Sequence, residues 1–433
     1  MVALVPAGGE VWEDFLDTIG VTLEEFCAQG PGGWMLGYIE ALASAGIDTL
    51  LVFFSGQVDR PTRYVDPGTR AVITVLPVRA GYMRWRGRVP TYRQALAGQT
   101  KWGFRGALAR VAGAALSHSS APLGPLLAEL RRFHCRAIIA QEYEYFRFDL
   151  CVVAGRRLGI PVVATFQGGT SEANLLSRVW KPALLRRASA LVVPAAQEAA
   201  RVRARYGPGP RIMPIFNPVN LADWTGQDGR EAERARLGLG PDSCAVVWHG
   251  RIAIHVKGLD ILLQAWDRIC AARPGRDIHL ILTGTGEDAD AFGQMVAARN
   301  GQNIRWDNRY VTDREALRRF LAAGDVYAFA SRLEGFPVAP IEAMACGLPV
   351  VGTNASGVSE IVGEGKGLQP ACVPVGDVEA FATALGRLVD DPDLARQIGA
   401  AARRRVEAEF SVEAVGLQLA QLLLPDDTAR SVA

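Results

Sequence analysis

Two glutamates eight positions apart, Glu334 and Glu342, lie where a predicted strand leads through a loop into a predicted helix. The apolar run Val326–Ala328 predicts the strand, and apolar residues at helical spacing predict the helix. A carboxylate repels phosphate but accepts hydrogen bonds from vicinal hydroxyls, so the pair could bind a ribose and a second sugar. The alternative is that Glu342 only charges the first helical turn and that Glu334 is a solvated loop acid.

The loop between the two glutamates is suited to an anionic ligand. Gly335 allows the backbone to approach a ligand closely. The amides of Val338 and Ala339 have no partner within the helix that they begin, and a helix N-terminus attracts negative charge. The segment therefore predicts a diphosphate site at the amino end of this helix.

A second cluster follows the predicted strand Ala245–His249 and contains Arg251 and Lys257. Parallel strands bring the loops at their carboxyl ends to one edge of the sheet, so both cations are expected to lie near the glutamates. Two fixed cations can neutralise a departing diphosphate without a divalent metal. The alternative is a solvated pair of basic residues. His249 itself is interpreted as a strand-end residue rather than a catalyst.

The segment Gly284–Ala289 fits the G-x-G-x-x-A pattern of dinucleotide-binding turns, with Asp307 about 20 residues farther on. This pattern favours an NAD-dependent oxidoreductase. Against it, Glu287, Asp288 and Asp290 would lie where a pyrophosphate must bind, which favours a tight turn with acidic N-terminal capping. Two aspartates in a first helical turn are common and the histidines show no ligand spacing, so no metal site is predicted.

Parallel sheets are the elements expected to position these loops. Short apolar runs alternate with helical patterns in two series, which is typical of sheets covered by helices on both faces. At 433 residues the chain is expected to form two such domains. The fold class is therefore α/β with two doubly wound, Rossmann-like domains, joined through the proline-rich Gly207–Asp223. The predicted strands are Thr49–Phe54, Ala71–Leu76, Ala137–Ala140, Pro161–Thr165, Ala190–Val193, Ala245–His249, Ile278–Thr283, Val326–Ala328 and Pro349–Gly352.

Composition indicates a globular enzyme. Apolar residues make up 49% and charged residues 21% of the chain, which excludes a disordered or fibrous protein. A net charge of +2 argues against a dedicated nucleic-acid binder. Seven scattered cysteines without a CxxC motif are typical of reduced thiols in the cytoplasm. No signal peptide and no membrane-spanning run are recognisable, so a cytoplasmic protein is expected.

The region from Pro67 to Ala128 contains no acidic residue. Within it, the basic-aromatic stretch 79–110 interleaves arginines with tyrosine, tryptophan and phenylalanine. Such a surface could dock on anionic lipid headgroups, which would make the protein peripheral at the inner face of the membrane, or on an acidic acceptor. The alternative is a solvated basic face with partly buried aromatic rings.

Together, the two C-terminal clusters resemble the retaining family 4 glycosyltransferases, whose GT-B fold has two Rossmann-like domains facing a cleft. Glu334 and Glu342 match the E-x7-E element of that family. A second family element, Gly-Arg followed by Lys-Gly, is matched by Gly250, Arg251, Lys257 and Gly258. Weaker matches extend over most of the chain, at Gly32-Gly33, Ile160–Thr165, Asn217–Asn220, Gly357–Val362 and Phe410-Ser411.

The resemblance implies an enzyme that moves a sugar from a nucleoside diphosphate sugar to an acceptor hydroxyl. The anomeric configuration would be retained, and no metal or other cofactor would be needed. The acceptor would be a carbohydrate, a lipid-linked molecule or a small molecule, with no nucleic acid as partner. Residues 1–210 would form the acceptor-side domain, residues 211–410 the donor-binding domain, and residues 411–433 a helix that returns to the first domain.

The resemblance also implies roles for individual residues. Arg251 and Lys257 would bind the donor diphosphate, Glu334 the sugar hydroxyls and Glu342 the ribose. The main chain near Tyr310-Val311 would meet the nucleobase. The implied catalytic residues are Glu334, Lys257 and Arg251. The implied donor-binding residues are Gly33, Gly250, Arg251, Lys257, Val311, Glu334, Gly335, Phe336, Val338, Ala339 and Glu342, with Gly33 reaching the phosphates from across the cleft.

Two features depart from the family pattern. Gln167 stands where many relatives have a histidine near the reacting sugar, and glutamine cannot act as a general base near neutral pH. About 20 residues separate Gly8-Gly9 from Gly32-Gly33, and the intervening Trp12–Gly30 is expected to form a lid or an acceptor wall. Three alternatives stay open: a GT-B nucleotide-sugar epimerase, an NAD-dependent oxidoreductase and a non-catalytic sugar-nucleotide binder.

Overall fold

The structure is a computed structural model that describes residues 1–7, 11–29, 33–86, 120–168, 177–225, 229–311, 313–363 and 372–425. Within these ranges the chain forms two sheets, one in each half, and helices pack on both faces of each. No helix in the described ranges is long and apolar enough to cross a membrane.

The first sheet is built from the N-terminal half of the chain. Its strands are β1 (Val2–Val5), β2 (Thr49–Ser55), β3 (Thr62–Val65), β4 (Val72–Pro77), β5 (Ala137–Gln141), β6 (Val162–Thr165), β7 (Ala190–Val192) and β8 (Ile212–Met213). They lie in the order β3-β4-β2-β1-β5-β6-β7-β8, and only the β3–β4 pair is antiparallel. The helices of this half are α1 (Glu13–Ile19), α2 (Leu23–Gln29), α3 (Gly33–Ser44), α4 (Ala80–Arg86), α5 (Leu123–Arg132), α6 (Phe146–Leu158), α7 (Ser177–Leu185) and α8 (Ala196–Tyr206).

Strand β2 shows why this sheet needs helices on both faces. All seven of its residues are buried. Leu50, Val52 and Phe54 pack into one apolar cluster, whereas Leu51 and Phe53 pack into a second cluster on the opposite face. Because side chains alternate between the faces of a strand, a run that is apolar throughout requires cover on both sides.

The second sheet is built from the C-terminal half. Its strands are β9 (Cys244–His249), β10 (Ile278–Thr283), β11 (Ile304–Asp307), β12 (Val326–Phe329), β13 (Val350–Thr353) and β14 (Cys372–Val373). They are all parallel, in the order β11-β10-β9-β12-β13-β14. The helices of this half are α9 (Leu221–Trp224), α10 (Arg230–Arg236), α11 (Ile254–Lys257), α12 (Leu259–Ala272), α13 (Ala289–Ala297), α14 (Arg314–Ala322), α15 (Ala339–Ala345), α16 (Val358–Val362), α17 (Val378–Asp390), α18 (Pro392–Glu409) and α19 (Val412–Leu423).

Each sheet has a point where the strand order reverses. In the second sheet, the chain runs outward from β9 through β10 to β11, and then returns to place β12 on the other side of β9. Ligands of open parallel sheets bind outside the carboxyl ends of the strands at such a switch point. The loops after β9 and β12 therefore form the part of this domain best placed to hold a ligand.

The last helix leaves the second domain and packs on the first. Val219 of the linker pairs with Ser411 in an isolated parallel bridge, just before α19 begins. The hydroxyl of Ser44, at the end of α3, donates a hydrogen bond of 3.0 Å to the carbonyl oxygen of Val412. The two crossings of the chain between the domains are therefore tied together at one side of the cleft.

The segment Trp12–Gly30 was expected to form a lid or an acceptor wall, and its described residues 12–29 pack into the core of the first domain instead of forming a lid, while the acceptor wall stays a prediction. Trp12 is 1% exposed and its ring lies 4.1 Å from that of Phe53, centroid to centroid. The ring of Phe26 packs edge-on against the rings of both Trp12 and Phe53. Helices α1 and α2 thus complete the core of the first domain, because their apolar faces cover β2. Residues 87–119, which hold most of the basic-aromatic stretch 79–110, lie outside the described residues, so the membrane contact stays a prediction.

Candidate functional site

The loops after β9 and β12 are joined to each other at the switch point. The amide of Arg332 donates a hydrogen bond of 2.9 Å to the carbonyl oxygen of Val256. The Arg332 guanidinium donates two more, of 2.6 and 2.7 Å, to the carboxylate of Asp260. A bidentate pair of this kind fixes both distance and orientation. The loop that carries Lys257 is therefore held in a defined position against the loop that carries Glu334.

This junction brings two of the predicted site residues into contact. The ammonium of Lys257 lies 2.7 Å from Oε1 of Glu334, and the two side chains are 20% and 8% exposed. A buried carboxylate needs a partner because it has lost its hydration. An anionic group that binds Lys257 would compete with Glu334 for the ammonium. The carboxylate released in this way would then accept hydrogen bonds from hydroxyls on the same ligand.

The second glutamate has a partner that the sequence did not reveal. Oε2 of Glu342 lies 3.0 Å from Nε2 of His249, the last residue of β9. The hydroxyl of Tyr327 lies 3.2 Å from both Nδ1 and the carbonyl oxygen of the same histidine. The interpretation of His249 as a strand-end residue is correct for its backbone but omits this contact. The one feature of the sequence that could have indicated a role for His249 in the site is its position directly before Gly250.

Tyr310 lies close enough to Glu342 for the charge of this carboxylate to affect the Tyr310 hydroxyl. Burial and the negative charge of Glu342 raise the pKa of the Tyr310 hydroxyl. The residue is nevertheless half-exposed, at 49%. The segment that ends at Val311 therefore borders the site on the side of the second glutamate and leaves an aromatic surface open to solvent.

Arg251 has a different neighbour from the one expected. Its guanidinium lies 2.9 Å from Oε1 of Glu287, in the loop after β10, and the two side chains are 45% and 42% exposed. In the described part of the chain, Lys257 contacts Glu334, whereas Arg251 contacts Glu287. An exposed ion pair contributes only about 0 to 1 kcal/mol to stability, so the guanidinium can leave Glu287 at low cost.

The turn Gly284–Ala289 is occupied by the protein itself. The amide of Asp288 donates a hydrogen bond to the carbonyl oxygen of Ile252, and the Asp288 carboxylate accepts one from the amide of Ile254. A Cβ atom at Gly286 would lie 2.7 Å from the backbone nitrogen of Ile252. The glycines therefore make room for the loop after β9 and not for a pyrophosphate. Of the acidic residues expected to cap the following helix, Asp288 stands at the N-cap position and Asp290 in the first turn, but the Asp288 carboxylate binds the neighbouring loop and makes no capping hydrogen bond.

The first domain meets the glutamate loop at two glycines. A Cβ atom at Gly168, in the loop after β6, would lie 2.8 Å from the nitrogen and 2.9 Å from the Cα of Gly335. Beside this contact, the side-chain amides of Gln167 and Asn217 exchange two hydrogen bonds, of 3.0 and 2.8 Å. Asn217 also donates one of 2.9 Å to the carbonyl oxygen of Phe336. The Gln167 amide therefore binds the linker in this structure.

Phe336 contributes packing through its side chain. Its ring is parallel to that of Phe216, at 5.3 Å between centroids and 5° between planes, and the ring of Phe410 stacks on both. Phe336 is 3% exposed. A contact of this residue with a ligand would therefore come from the main chain, while the ring anchors the glutamate loop to the linker.

The remaining predicted donor-binding residues lie around this centre. Among the described residues, the amides of Val338 and Ala339 donate no hydrogen bond. Helix α15 has only seven residues, so these amides, more than a helix dipole, would contact an anion. Gly33 is the first residue of α3. A Cβ atom on this glycine would have no described atom within 4 Å apart from its immediate neighbours and the helix backbone. No cluster of three or more potential metal ligands occurs within the described ranges.

Comparison with known protein families gives two matches. The model for Glycosyltransferase Family 4 matches residues 34–223, and the model for Glycosyl transferases group 1 matches residues 243–391. The first matched region contains the first sheet except β1, and the second contains the second sheet with the whole site built on β9 and β12.

Two curated relatives illustrate the sequence similarity. A GDP-mannose-dependent monoacylated alpha-(1-6)-phosphatidylinositol monomannoside mannosyltransferase from Corynebacterium glutamicum is 29% identical over 232 residues, which cover 52% of this chain and 58% of the relative. A D-inositol 3-phosphate glycosyltransferase from Streptomyces scabiei is 32% identical over 232 residues, or 52% and 51% of the two chains. The chain thus spans about half the length of the curated relatives it matches.

Solved structures resemble the chain over its full length. Sucrose-phosphate synthase from Thermosynechococcus elongatus has a TM-score of 0.66 at 21% identity, and the likeness covers 99% of both chains. HepE from Anabaena, solved in complex with UDP, has a TM-score of 0.67 at 17% identity, again over 99% of both chains. These likenesses show a shared fold and confirm the prediction of two doubly wound domains facing a cleft.

Proposed function

Because this chain belongs to the family 4 glycosyltransferases and has their GT-B fold, we propose that it transfers a sugar from a nucleoside diphosphate sugar to an acceptor hydroxyl. The observation that carries the proposal is the 2.7 Å ion pair between Lys257 and Glu334 at the switch point of the second sheet. In this proposal, Lys257 would supply a cation for a diphosphate and Glu334 a carboxylate for sugar hydroxyls, with Glu342 on the following helix.

Lys257 is proposed to bind the donor diphosphate in exchange for Glu334. A diphosphate carries more negative charge than one carboxylate, so it competes well for a partly buried ammonium. Arg251 would leave its exposed partner Glu287 and bind the same group. With two cations and the main-chain amides of the glutamate loop, the developing charge is neutralised without a divalent metal.

The released Glu334 carboxylate is proposed to bind hydroxyls of the transferred sugar. Glu342 would bind the ribose, because it lies near Tyr310, where the nucleobase would stack on the ring or hydrogen-bond to the main chain of the next residue, Val311. Gly33 would approach the phosphates from the first domain. Except for Gly33 of the first domain, each of these groups follows the carboxyl end of a strand of the second sheet.

The reaction is proposed to retain the anomeric configuration. The bond between the anomeric carbon and the phosphate oxygen breaks, and the acceptor oxygen bonds to that carbon on the same face. The acceptor proton passes to the departing phosphate oxygen. The contacts of Gln167 support a route of this kind, because the residue in the place of the family's histidine is bound to Asn217 and has no basic nitrogen.

The acceptor is proposed to bind in the first domain, and its chemistry follows from the relatives. Those named above act on a phosphatidylinositol mannoside and on D-inositol 3-phosphate. A polyol hydroxyl that is phosphorylated or lipid-linked is therefore the first class to test. The stretch 79–110, with its arginines and aromatic residues, would bring the protein to the inner face of a membrane that carries such an acceptor.

The test is an incubation with radiolabelled UDP- and GDP-sugars in the presence of EDTA, with and without acceptors of these classes. Label transferred to the acceptor with retained configuration, read by NMR of the product, supports the proposal. A strict requirement for Mg²⁺ would overturn metal independence. Isomerised donor without acceptor would indicate an epimerase, a thermal shift with NAD alone an oxidoreductase, and binding without turnover a sugar-nucleotide binder.

A further inference from the structure

The position of the Glu342 carboxylate is not fixed by its own helix. Glu342 lies in the first turn of α15, a helix of seven residues, and its side chain is 15% exposed. Within the described part of the chain, the side chain that hydrogen-bonds it is that of His249, at 3.0 Å. This bond engages Oε2 and leaves Oε1 available to a ligand.

His249 is in turn held firmly by the second sheet. It is the last residue of β9, it is 8% exposed, and its ring lies against that of Tyr327, which is fully buried on the neighbouring β12. The Tyr327 hydroxyl reaches both Nδ1 and the carbonyl oxygen of His249. The imidazole therefore has a fixed contact at Nδ1, on the side away from Glu342.

In this arrangement the imidazole donates a hydrogen bond to the Glu342 carboxylate. An ionised carboxylate only accepts hydrogen bonds, so Nε2 carries the hydrogen. When the imidazole is neutral, Tyr327 donates to Nδ1. When it is protonated, Nδ1 donates to the Tyr327 oxygen, and Tyr327 donates to the backbone carbonyl. In both states Nε2–H points at Oε2 of Glu342.

We propose that His249 is a positioning residue that fixes Glu342 for the ribose of the donor and thereby gives the site its discrimination between ribose and deoxyribose. The inference rests on the proposed function, because it assigns Glu342 to the ribose. His249 does not touch the nucleotide. It acts by holding one carboxylate oxygen so that the other faces the ribose hydroxyls.

The test compares the affinities of a nucleoside diphosphate and its 2′,3′-dideoxy counterpart by calorimetric titration. The variants are H249F, which removes both ring nitrogens, H249Q, whose amide can replace Nε2–H, and Y327F. The control is H279F. His279 is also a buried histidine with a carboxylate partner, Asp277 at 2.8 Å, but it lies at the amino end of the adjacent β10, away from the site.

The wild type is expected to prefer the ribose form by about tenfold to hundredfold, the range of a hydrogen bond to a charged group. H249F loses most of that preference by weakening ribose binding, whereas its affinity for the dideoxy form changes little. H249Q regains part of the preference, and Y327F loses part of it. H279F keeps the wild-type preference even where its thermal stability falls.

A double-mutant cycle separates positioning from a general structural effect. In an E342A background, H249F should change the affinity for the nucleotide by less than about twofold, because the group that it positions is already gone. Equal effects of H249F in the two backgrounds would overturn the inference. So would an H249F protein that keeps the full preference for ribose while the wild type binds nucleotide. A wild type that binds no nucleoside diphosphate would overturn the proposed function itself.

Discussion

Gly168 and Gly335 lie backbone to backbone across the cleft, with 2.8 Å between the place of a Cβ on Gly168 and the amide nitrogen of Gly335. A Cβ on Gly335 would in turn overlap the backbones of Gly168 and Gln167. The closed arrangement of the two domains therefore depends on two residues without side chains, next to the glutamate that contacts Lys257. Closure excludes water from a reactive donor.

The first prediction concerns this contact. Gly335→Ala should hold the domains apart and lower kcat/KM about 100-fold, because a displacement of about 1 Å is enough to misalign donor and acceptor. The radius of gyration measured by small-angle scattering with donor bound should increase. Gly124→Ala is the matched control, since a Cβ there meets no atom within 4 Å. Wild-type kinetics for Gly335→Ala would show that the contact is dispensable.

The second prediction concerns the ion pair at the centre of the site. Lys257→Ala and Glu334→Ala should each reduce transfer about 100- to 1,000-fold, while circular dichroism shows an intact fold. In the Lys257 variant the diphosphate loses a cation that binds it. In the Glu334 variant the hydroxyls of the transferred sugar lose the carboxylate that accepts their hydrogen bonds. Arg268→Ala is the control, since it breaks a 2.7 Å but exposed pair with Glu379 in the same domain. Near-normal turnover of either site variant would refute the assignment.

The third prediction concerns a buried ion pair in the first domain. Lys181 is 1% exposed and contacts Asp149, and burial lowers the pKa of Lys181. Lys181→Met should reduce the free energy of unfolding by about 3 to 5 kcal/mol, because the Asp149 carboxylate stays buried without its cation. The double variant Lys181→Met, Asp149→Leu should recover much of that loss in urea unfolding. Equal stability of the single variant and the wild type would show that the pair is not buried in solution.

The fourth prediction concerns Cys346, at the end of α15. Burial, with a smaller contribution from the charge of Glu342, raises the pKa of the Cys346 thiol to about 12. The thiolate is the form that reacts with alkylating agents. Iodoacetamide at pH 8 should therefore leave Cys346 unmodified in the folded protein and label it after denaturation, as read by peptide mass spectrometry. Rapid labelling of the folded protein would contradict the raised pKa of this partly buried thiol.

The sequence predicted the central strands because burial on both faces leaves a continuous apolar run. Ile278–Thr283 was predicted with its observed bounds. Strand β11 was missed, because its residues alternate between half-buried and exposed, as is typical of a sheet edge. Strand β14 has two residues, too few for any periodicity.

The proximity of Lys257 to Glu334 could be predicted, because both follow strands that end at one edge of a parallel sheet. The pairs His249–Glu342 and Arg251–Glu287 could not. They depend on side-chain directions at the end of β9, in the loops after β9 and β10 and at the start of α15, and these directions leave no periodic signal in the sequence. The glycines of the turn at 284–289 were ambiguous for the same reason, since either a ligand or another loop can fill the space that they leave.

The central claim is that a diphosphate binds at the junction of the loops after β9 and β12, and a crystal structure with a nucleoside diphosphate tests it most directly. The account predicts phosphate oxygens within about 3 Å of the Lys257 ammonium and of the Val338 or Ala339 amide. It also predicts that Glu334 no longer contacts Lys257 and that the ribose hydroxyls lie at Glu342. A diphosphate bound at the turn 284–289, or elsewhere with the Lys257–Glu334 pair intact, would contradict the account.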